Sequence, residues 1–334
     1  MRGRSIEWPF LCLNLFSRFG LIPDHGQNQT NNEADHKMPQ KQLPICFLNG
    51  ESSNLISVID RGLCYGHGLF ETIRLSDTQM PLWDYHYQRL RKGAHSLSIS
   101  LDNHLLQGYL DQLIANCPDN GIVKIMITAG RGDRGYRLSN TSPNYLLQWF
   151  PLSDYPNHYQ RCGVTLKLCQ HRLASSPQLA GIKHLNRLDQ VIARGEWGDE
   201  YEEGLMLDQY GHVIEAVSGN LFFYRDGAWF TPKLDQCGVA GVMRQYIMEE
   251  LCNLSLSSLS KIEEVTCLLD DLLSADEVFI CNSVNGIWPV LSLENLVPGN
   301  PGLANQSSWS LGPQTLALQA ALYKSLPAYL NSTE

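Results

Sequence analysis

The sequence predicts an α+β fold in two domains behind an extension that does not fold, and three observations carry the prediction. Strand-like runs follow one another without a helix between each pair, which disfavours a doubly wound parallel sheet. Two amphipathic helical stretches sit together among the early strands. The segment PLSDYPNHYQRCG (151–163) breaks the strand runs with two prolines and reads as an interdomain connection. The expected division is 1–43 as disordered extension, 44–150 as a smaller N-terminal α/β domain, 151–163 as linker, and 164–334 as a larger C-terminal domain.

Each element follows from its local pattern. The opening MRGRSIEWPFLCLNLFSRFGLIP has a short apolar run interrupted by Asn14, Ser17 and Arg18, too broken for a secretory signal. The polar tract DHGQNQTNNEADHK after it fits disorder, and Met38 lies just before the first strand-like run, ICFLNG. LISVIDRG and GLFETIRL read as strands from their β-branched and aromatic content. DYHYQRLRKGAHSLSI (84–99) reads as a helix capped by Asp84, with Tyr87, Leu90, Ala94 and Leu97 on one face, and NHLLQGYLDQLIANC as a second. GIVKIMITAG and NYLLQWF are strands flanking the loop RGDRGYRLSNTSP.

Beyond the linker come a strand at 164–169 and a helix ending near Trp197, its apolar positions Leu185, Leu188, Val191 and Ile192. EGLMLDQYGHVIEAVSGNLFFYRDGAWFTP then carries tight-turn signals at Tyr210-Gly211 and Asp226-Gly227, hence an antiparallel meander. GVAGVMRQYIMEELCNL runs from glycines into a helix. ADEVFICNSVNGIWPVLSL supplies two closing strands and GPQTLALQAALYKSL a last helix.

Composition narrows the function. At 334 residues, 43% apolar and 18% charged, the chain has the make-up of a soluble globular protein with a substantial core. A net charge of −9 argues against a broad basic face for nucleic acid, and no segment approaches the length of a membrane span. Ten cysteines (12, 46, 64, 117, 162, 169, 237, 252, 267, 281) form no CxxC pair and no metal-ligand spacing, which suits reduced thiols in a cytoplasm.

Five features have chemical potential, each with an ordinary reading beside it. Lys183, in LAGIKHLNRLDQ, is either a solvated lysine ahead of a helix or an amine kept unprotonated for a Schiff base. Glu215, in HVIEAVSGNLFF, is either a carboxylate on the exposed face of a hairpin or the partner of a ring nitrogen. GVAGVMRQ (238–245) is an ordinary helix start or a cradle of backbone N–H groups for a phosphate. Arg89, in HYQRL, is a surface arginine or a second phosphate ligand, and Ser283, in ICNSVNG, a turn residue or a further hydroxyl donor.

Taken together, the motifs carry a resemblance. From about Phe47 to Pro289 the chain resembles the fold-type IV pyridoxal-phosphate enzymes, a group that includes branched-chain and D-amino-acid aminotransferases and aminodeoxychorismate lyases. The words that match are DRGLCYGHGLFETIR, HYQRL, the lysine segment, EGLMLDQYGHVIEAVSGNLFF, FTPKLDQCGVAGVMRQ and ADEVFICNSVNGIWPV. RGDRGYR, LAGIKHLNRLDQ and TPKLDQCGVAGVMRQ are most similar to the lyase subfamily. The sequence departs from the group at His67, where relatives often carry an acidic residue, and in its first forty-odd residues.

The resemblance implies a two-domain fold-type IV architecture, pyridoxal 5'-phosphate as cofactor, a homodimer, and no metal. It implies Lys183 as Schiff-base lysine and Glu215 as partner of the pyridine nitrogen. Arg89, the backbone of Val242 and Met243, and Ser283 would hold the phosphate. The implied reaction eliminates pyruvate from 4-amino-4-deoxychorismate to give 4-aminobenzoate, a step toward folate. Arg131, Arg134 and Arg137 are the expected partners of a substrate carboxylate, with a solvated loop as the equal alternative. A D-amino-acid or branched-chain aminotransferase, or a non-catalytic binder of the cofactor, are the rival functions.

Overall fold

In the computed structural model, which describes residues 44–138, 141–152, 158–251, 262–296 and 304–330, the strands gather into two sheets. The first contains β1 (Ile45–Leu48), β2 (Glu51–Ser52), β3 (Gly68–Leu75), β4 (Gly121–Thr128) and β5 (Asn144–Phe150), in the order β2-β1-β5-β4-β3 and wholly antiparallel. Alternation sets its faces: Val123, Ile125 and Ile127 of β4 all point into the core. Helices α2 (Trp83–Ser96) and α3 (Asn103–Ala115) pack against it. Leu90 and Ala94 are buried and Tyr87 and Leu97 partly so, as their spacing predicts. Asp102 caps α3, accepting from the N–H groups of His104 and Leu105 at 2.8 and 3.0 Å. Helix α2 starts differently from expectation. Leu82 occupies its cap in the left-handed region, and Asp84 sits in the first turn, where its charge suits the helix dipole.

LISVIDRG is not a strand. Residues 53–59 are irregular, and Asp60 caps a short helix, α1 (Arg61–Tyr65), through bonds to Gly62 and Leu63 N–H at 2.7 and 3.3 Å. β-Branched content favours a strand only where an edge is available to pair. Here the cap captures the backbone, and Leu55, Ile56, Val58, Ile59 and Leu63 stay exposed.

The second sheet has ten strands. After a helical turn, α4 (Tyr159–Cys162), come β6 (Val164–Leu173), α5 (Leu188–Arg194), and the meander β7 (Glu203–Asp208), β8 (His212–Ala216), β9 (Asn220–Arg225) and β10 (Ala228–Pro232). There follow α6 (Val242–Tyr246) with a π-helical turn at Ile247–Leu251, then β11 (Glu263–Val265), β12 (Cys267–Leu268) and α7 (Leu269–Leu273). The closing strands are β13 (Glu277–Asn282), β14 (Gly286–Leu296) and β15 (Ala304–Ser308), before α8 (Pro313–Ser325). The order is β11-β10-β9-β13-β14-β6-β7-β8-β12, with β15 beside β14. Its pairs are mixed: β6 runs parallel to both β7 and β14, whereas β7, β8 and β9, β10 make hairpins. The β9–β10 turn has Asp226 and Gly227 both at positive φ, 53° and 82°, as a two-residue hairpin loop requires.

The two sheets meet along β3. Ser283, in the β13–β14 turn, donates its hydroxyl to the Thr72 carbonyl at 2.9 Å, and Arg74 donates to the Val284 carbonyl at 2.9 Å. The expected extension (1–43) and part of the expected linker (153–157) lie outside the described residues. Among the described residues, no helix is long and apolar enough to cross a membrane. Eight cysteines there, from Cys46 to Cys281, carry free thiols.

Candidate active site

Lys183 is held from both sides before any helix begins. Phe70 N–H donates to the Lys183 carbonyl and Leu185 N–H to that of Gly68, each at 3.0 Å, so the lysine segment lies along the start of β3. On the other side, Gly181 N–H donates to the Gly238 carbonyl at 3.0 Å and Ala240 N–H to the Gly181 carbonyl at 3.2 Å. Gly181 takes φ +78°, where a side chain would be strained, so the chain turns there to reach both neighbours. The amine itself lies 4.4 Å from the centre of the Phe70 ring, and Lys183 lines a cavity. Burial, and then the positive charge of Arg89, push its pKa down to about 8, against the pull of Glu71. An amine so placed is unprotonated in useful proportion near neutral pH. Lys183 is therefore not a solvated lysine ahead of a helix.

The cavity has a volume of about 390 Å³ and is walled by Phe70 and Thr72 of β3, the residues around Glu215, and the turns at 239–242 and 281–285. Glu215 lies on β8 and is only 4% exposed, because β8 pairs with both β7 and β12. Its Oε2 accepts from Val239 N–H at 2.8 Å, while Oε1 meets only Gln190 Nε2 at 3.4 Å. Burial raises its pKa to about 7 in spite of that N–H and of the positive Arg187 and Lys183. A carboxylate buried this way, with one oxygen loosely held, gains from any positively charged group placed against it.

A second corner is built for an anion. Arg89 crosses from α2 to bond both oxygens of Glu71 on β3, Nε at 2.9 Å and Nη2 more closely, and its Nη1 donates to the Ala240 carbonyl at 2.9 Å. His86 Nδ1 completes the cluster at 2.7 Å from Glu71, the His tautomer being inferred from this bond. Arg89 and His86 hold the Glu71 carboxyl down to about 2 although burial acts the other way. Next to this arginine, Gly241 precedes α6 with no side-chain cap, so Val242 and Met243 contribute first-turn N–H groups. A Cβ on Gly241 would fall 1.9 Å from Asn220 Oδ1, so a larger residue would displace the Asn220 side chain that is bonded to the Val239 carbonyl. Val242 lines the cavity, while the Met243 side chain points into the core.

The remaining expected residues divide. Ser283 lines the cavity, but its one hydrogen is already donated to Thr72. Arg131, Arg134 and Arg137 are exposed, and the structure does not bring them to the cavity wall. Their loop instead folds over the buried Arg61, which donates to the carbonyls of Gly135 and Tyr136 at 3.0 Å each and to His67 Nδ1 at 3.2 Å. Two further wall residues, Arg187 and Gln190, lie in KHLNRLDQ, where their spacing from Lys183 is the available signal. Glu71, buried behind Arg89, has no such signal, because an acid in a strand pattern reads as surface. Among the described residues, no group of three or more His, Cys, Asp or Glu side chains is placed to hold a metal ion.

A poised amine, a buried carboxylate and an anion-binding corner thus share one cavity. Residues 68–293 match the family model for amino-transferase class IV. The chain belongs to that family. Within the class IV proteins, an aminodeoxychorismate lyase from Vibrio harveyi is 35% identical over 83% of this chain and 98% of its own length. A lyase of the same name from Bacillus subtilis is 31% identical over 84% of this chain and 94% of its own. The crystal structure of 4-amino-4-deoxychorismate lyase from Pseudomonas aeruginosa superposes with a TM-score of 0.77 at 39% identity, covering 84% of this chain and 99% of that one.

Proposed function

We propose that this class IV protein eliminates pyruvate from 4-amino-4-deoxychorismate to leave 4-aminobenzoate, with pyridoxal 5'-phosphate as cofactor. The observation that carries the reading is the convergence of Lys183, Glu215 and Arg89 on one cavity. The similarity to lyases of that name adds the substrate.

The cavity fits the cofactor on its own terms. Glu215 is a buried acid lacking a firm positive partner, which a protonated pyridine nitrogen supplies. The Gly241 approach and the Val242 and Met243 N–H groups, beside Arg89, suit a phosphate, and the volume suits a small ring with a substrate attached. Lys183 would hold the aldehyde end, with Ser283 bordering the site. When bound, the cofactor supplies an aldehyde that links to amines and a ring that accepts electrons from the attached carbon.

The protein's own part is positioning and proton transfer. With its amine free, Lys183 would take the proton from the ring carbon that bears the substrate nitrogen. Its low pKa keeps it able to accept that proton. Glu215 would balance the charge of a protonated ring nitrogen, and the proton taken by Lys183 would go to the departing enolpyruvyl group, which leaves as pyruvate. The Phe70 ring lies against the amine on one side. Residues 151–163 would divide the chain into two domains, with the cavity between their sheets.

Two apolar runs support a homodimer. Leu55, Ile56, Val58, Ile59 and Leu63 are exposed, as are Leu188, Val191 and Ile192, and Asn186 Nδ2 links the runs by donating to the Gly66 carbonyl at 3.1 Å. A second copy covers them in this reading, which sedimentation would test, and the free thiols suit a cytoplasmic enzyme. The test of function is one assay that follows pyruvate and 4-aminobenzoate together, run beside D-alanine or a branched-chain amino acid with 2-oxoglutarate. Equal release of both products from aminodeoxychorismate supports the lyase; glutamate formation without pyruvate release would install the aminotransferase instead.

A further inference from the structure

Arg187 is a cation in the cavity wall whose hydrogen-bonding capacity is not used up. It precedes α5 and lines the cavity with Lys183 and Glu215. One of its nitrogens, Nη2, lies 2.6 Å from His184 Nε2. Its Nε is buried with no hydrogen-bond partner among the described residues, and so is His184 Nδ1. Since arginine only donates, His184 Nε2 must be the acceptor in that contact, and the imidazole hydrogen resides on Nδ1. Burial and the Arg187 charge hold His184 down to about 4, so it stays neutral and cannot relieve the guanidinium's charge. A buried donor without an acceptor costs about 1–3 kcal/mol. Such a cost in a cavity wall points to an acceptor that a ligand brings.

The shape of the cofactor says which acceptor. On the pyridine ring, the carbon that links to lysine lies opposite the nitrogen. One edge between them carries the phosphate arm and the other the 3-hydroxyl. Lys183 and Glu215 mark the two ends. Arg89, bonded to Glu71 and Ala240 beside Gly241, occupies the phosphate edge. Arg187 lies beside both Lys183 and Glu215 and makes no bond to the 240–243 turn, which leaves it the other edge. We propose that Arg187 is a cofactor-binding residue that donates to the 3-hydroxyl oxygen of pyridoxal phosphate, with neutral His184 orienting the guanidinium. This rests on the cofactor assignment made above.

The consequence is spectroscopic and needs no turnover. A guanidinium beside that oxygen favours its ionised form and repels a proton on the neighbouring lysine nitrogen. Both effects lower the pH at which the bound chromophore loses its proton. The other charges facing Lys183 are Arg89, Glu71, Glu215 and, through Glu71, His86; Arg187 itself faces Glu215 and Asp189, the latter engaged with His171 at 2.8 Å. Substitution at 187 changes none of these side chains, although it removes the Arg187 charge that favours ionised Glu215. The holoenzymes of the natural chain, Arg187→Gln and Arg187→Lys are therefore titrated by absorbance between pH 5 and 10. Arg187→Gln should raise the midpoint by about one unit or more, and Arg187→Lys, which keeps a charge with different geometry, by less. A midpoint within about 0.2 units of the natural one in both variants would overturn the proposal. So would an unmoved midpoint with weakened calorimetric binding of 4-aminobenzoate, because the guanidinium would then serve a substrate carboxylate. If the natural protein develops no chromophore with pyridoxal phosphate, the cofactor assignment itself falls, a result distinct from either.

Discussion

Two arginines flank Lys183, and the protein treats them in opposite ways. Arg89 is firmly held: Glu71 takes two of its nitrogens and the Ala240 carbonyl a third, with His86 bonded behind. Arg187 has only neutral His184 for Nη2 and nothing for Nε. Both charges depress the lysine pKa, yet only one belongs to a finished internal network. The contrast teaches how a wall is divided between scaffold and site. The ion pair with Glu71 fixes where Arg89 points, and its remaining N–H groups face the phosphate corner, whereas Arg187 keeps most of its donors for a ligand.

Breaking the lysine itself should have the largest effect. Lys183→Ala is expected to lower kcat by about 10⁴-fold or more and to abolish the label that borohydride reduction with pyridoxal phosphate leaves on the peptide containing residue 183. A label recovered elsewhere would unseat the whole assignment.

Next comes the scaffold side of the contrast. Glu71→Gln leaves Arg89 without its counter-charge in a buried place and should cost about 3–5 kcal/mol in chemical denaturation. Because the folded-state pKa of Glu71 is depressed to about 2, its stabilisation is present above the ordinary value of 4.5 and lost as pH falls toward 2. The gap between Glu71→Gln and the natural chain should accordingly narrow through that window. Arg187→Gln, which breaks no internal ion pair, should cost under about 1 kcal/mol.

Glu215→Gln sharpens the comparison in the other direction. The raised pKa means that folding favours the neutral acid, so ionised Glu215 destabilises the cofactor-free fold progressively from pH 4.5 to about 7 and fully above it. The amide should stabilise the cofactor-free protein by about 1–3 kcal/mol at pH 8 and by little at pH 5, while the loaded enzyme loses most of its activity. Equal thermal shifts at both pH values would mean that Glu215 is not buried as an acid. The smallest effects belong to the exposed loop: Arg134→Ala and Arg137→Ala should change KM by less than about threefold, measured with aminodeoxychorismate.

Local signals made most of the secondary structure legible. The period-2 runs of β4 and β5, the meander turns at Gly211 and Asp226-Gly227, and the stripe of α2 all lie where their patterns put them. The misreading at 55–60 arose because β-branched residues there serve an exposed surface, which a propensity cannot distinguish from a paired strand. Helix α5 shows the same limit: Leu188 is 73% exposed, so its apolar spacing marks a face that this chain leaves uncovered.

By itself the sequence determined most of the elements, the glycine-bearing turn into α6, and the residue types with the right chemistry at 89, 183 and 215. Those follow from short-range sterics and from the chemistry each side chain carries. Tertiary structure alone decided which of them share a cavity, that Glu71 pairs with Arg89, that the loop arginines turn to solvent, and that Arg187 does not. Contacts between separate elements, such as that of Arg89 with the Ala240 carbonyl, have no local signature, and the burial that shifts the pKa values of Lys183 and Glu215 exists only once those elements have met.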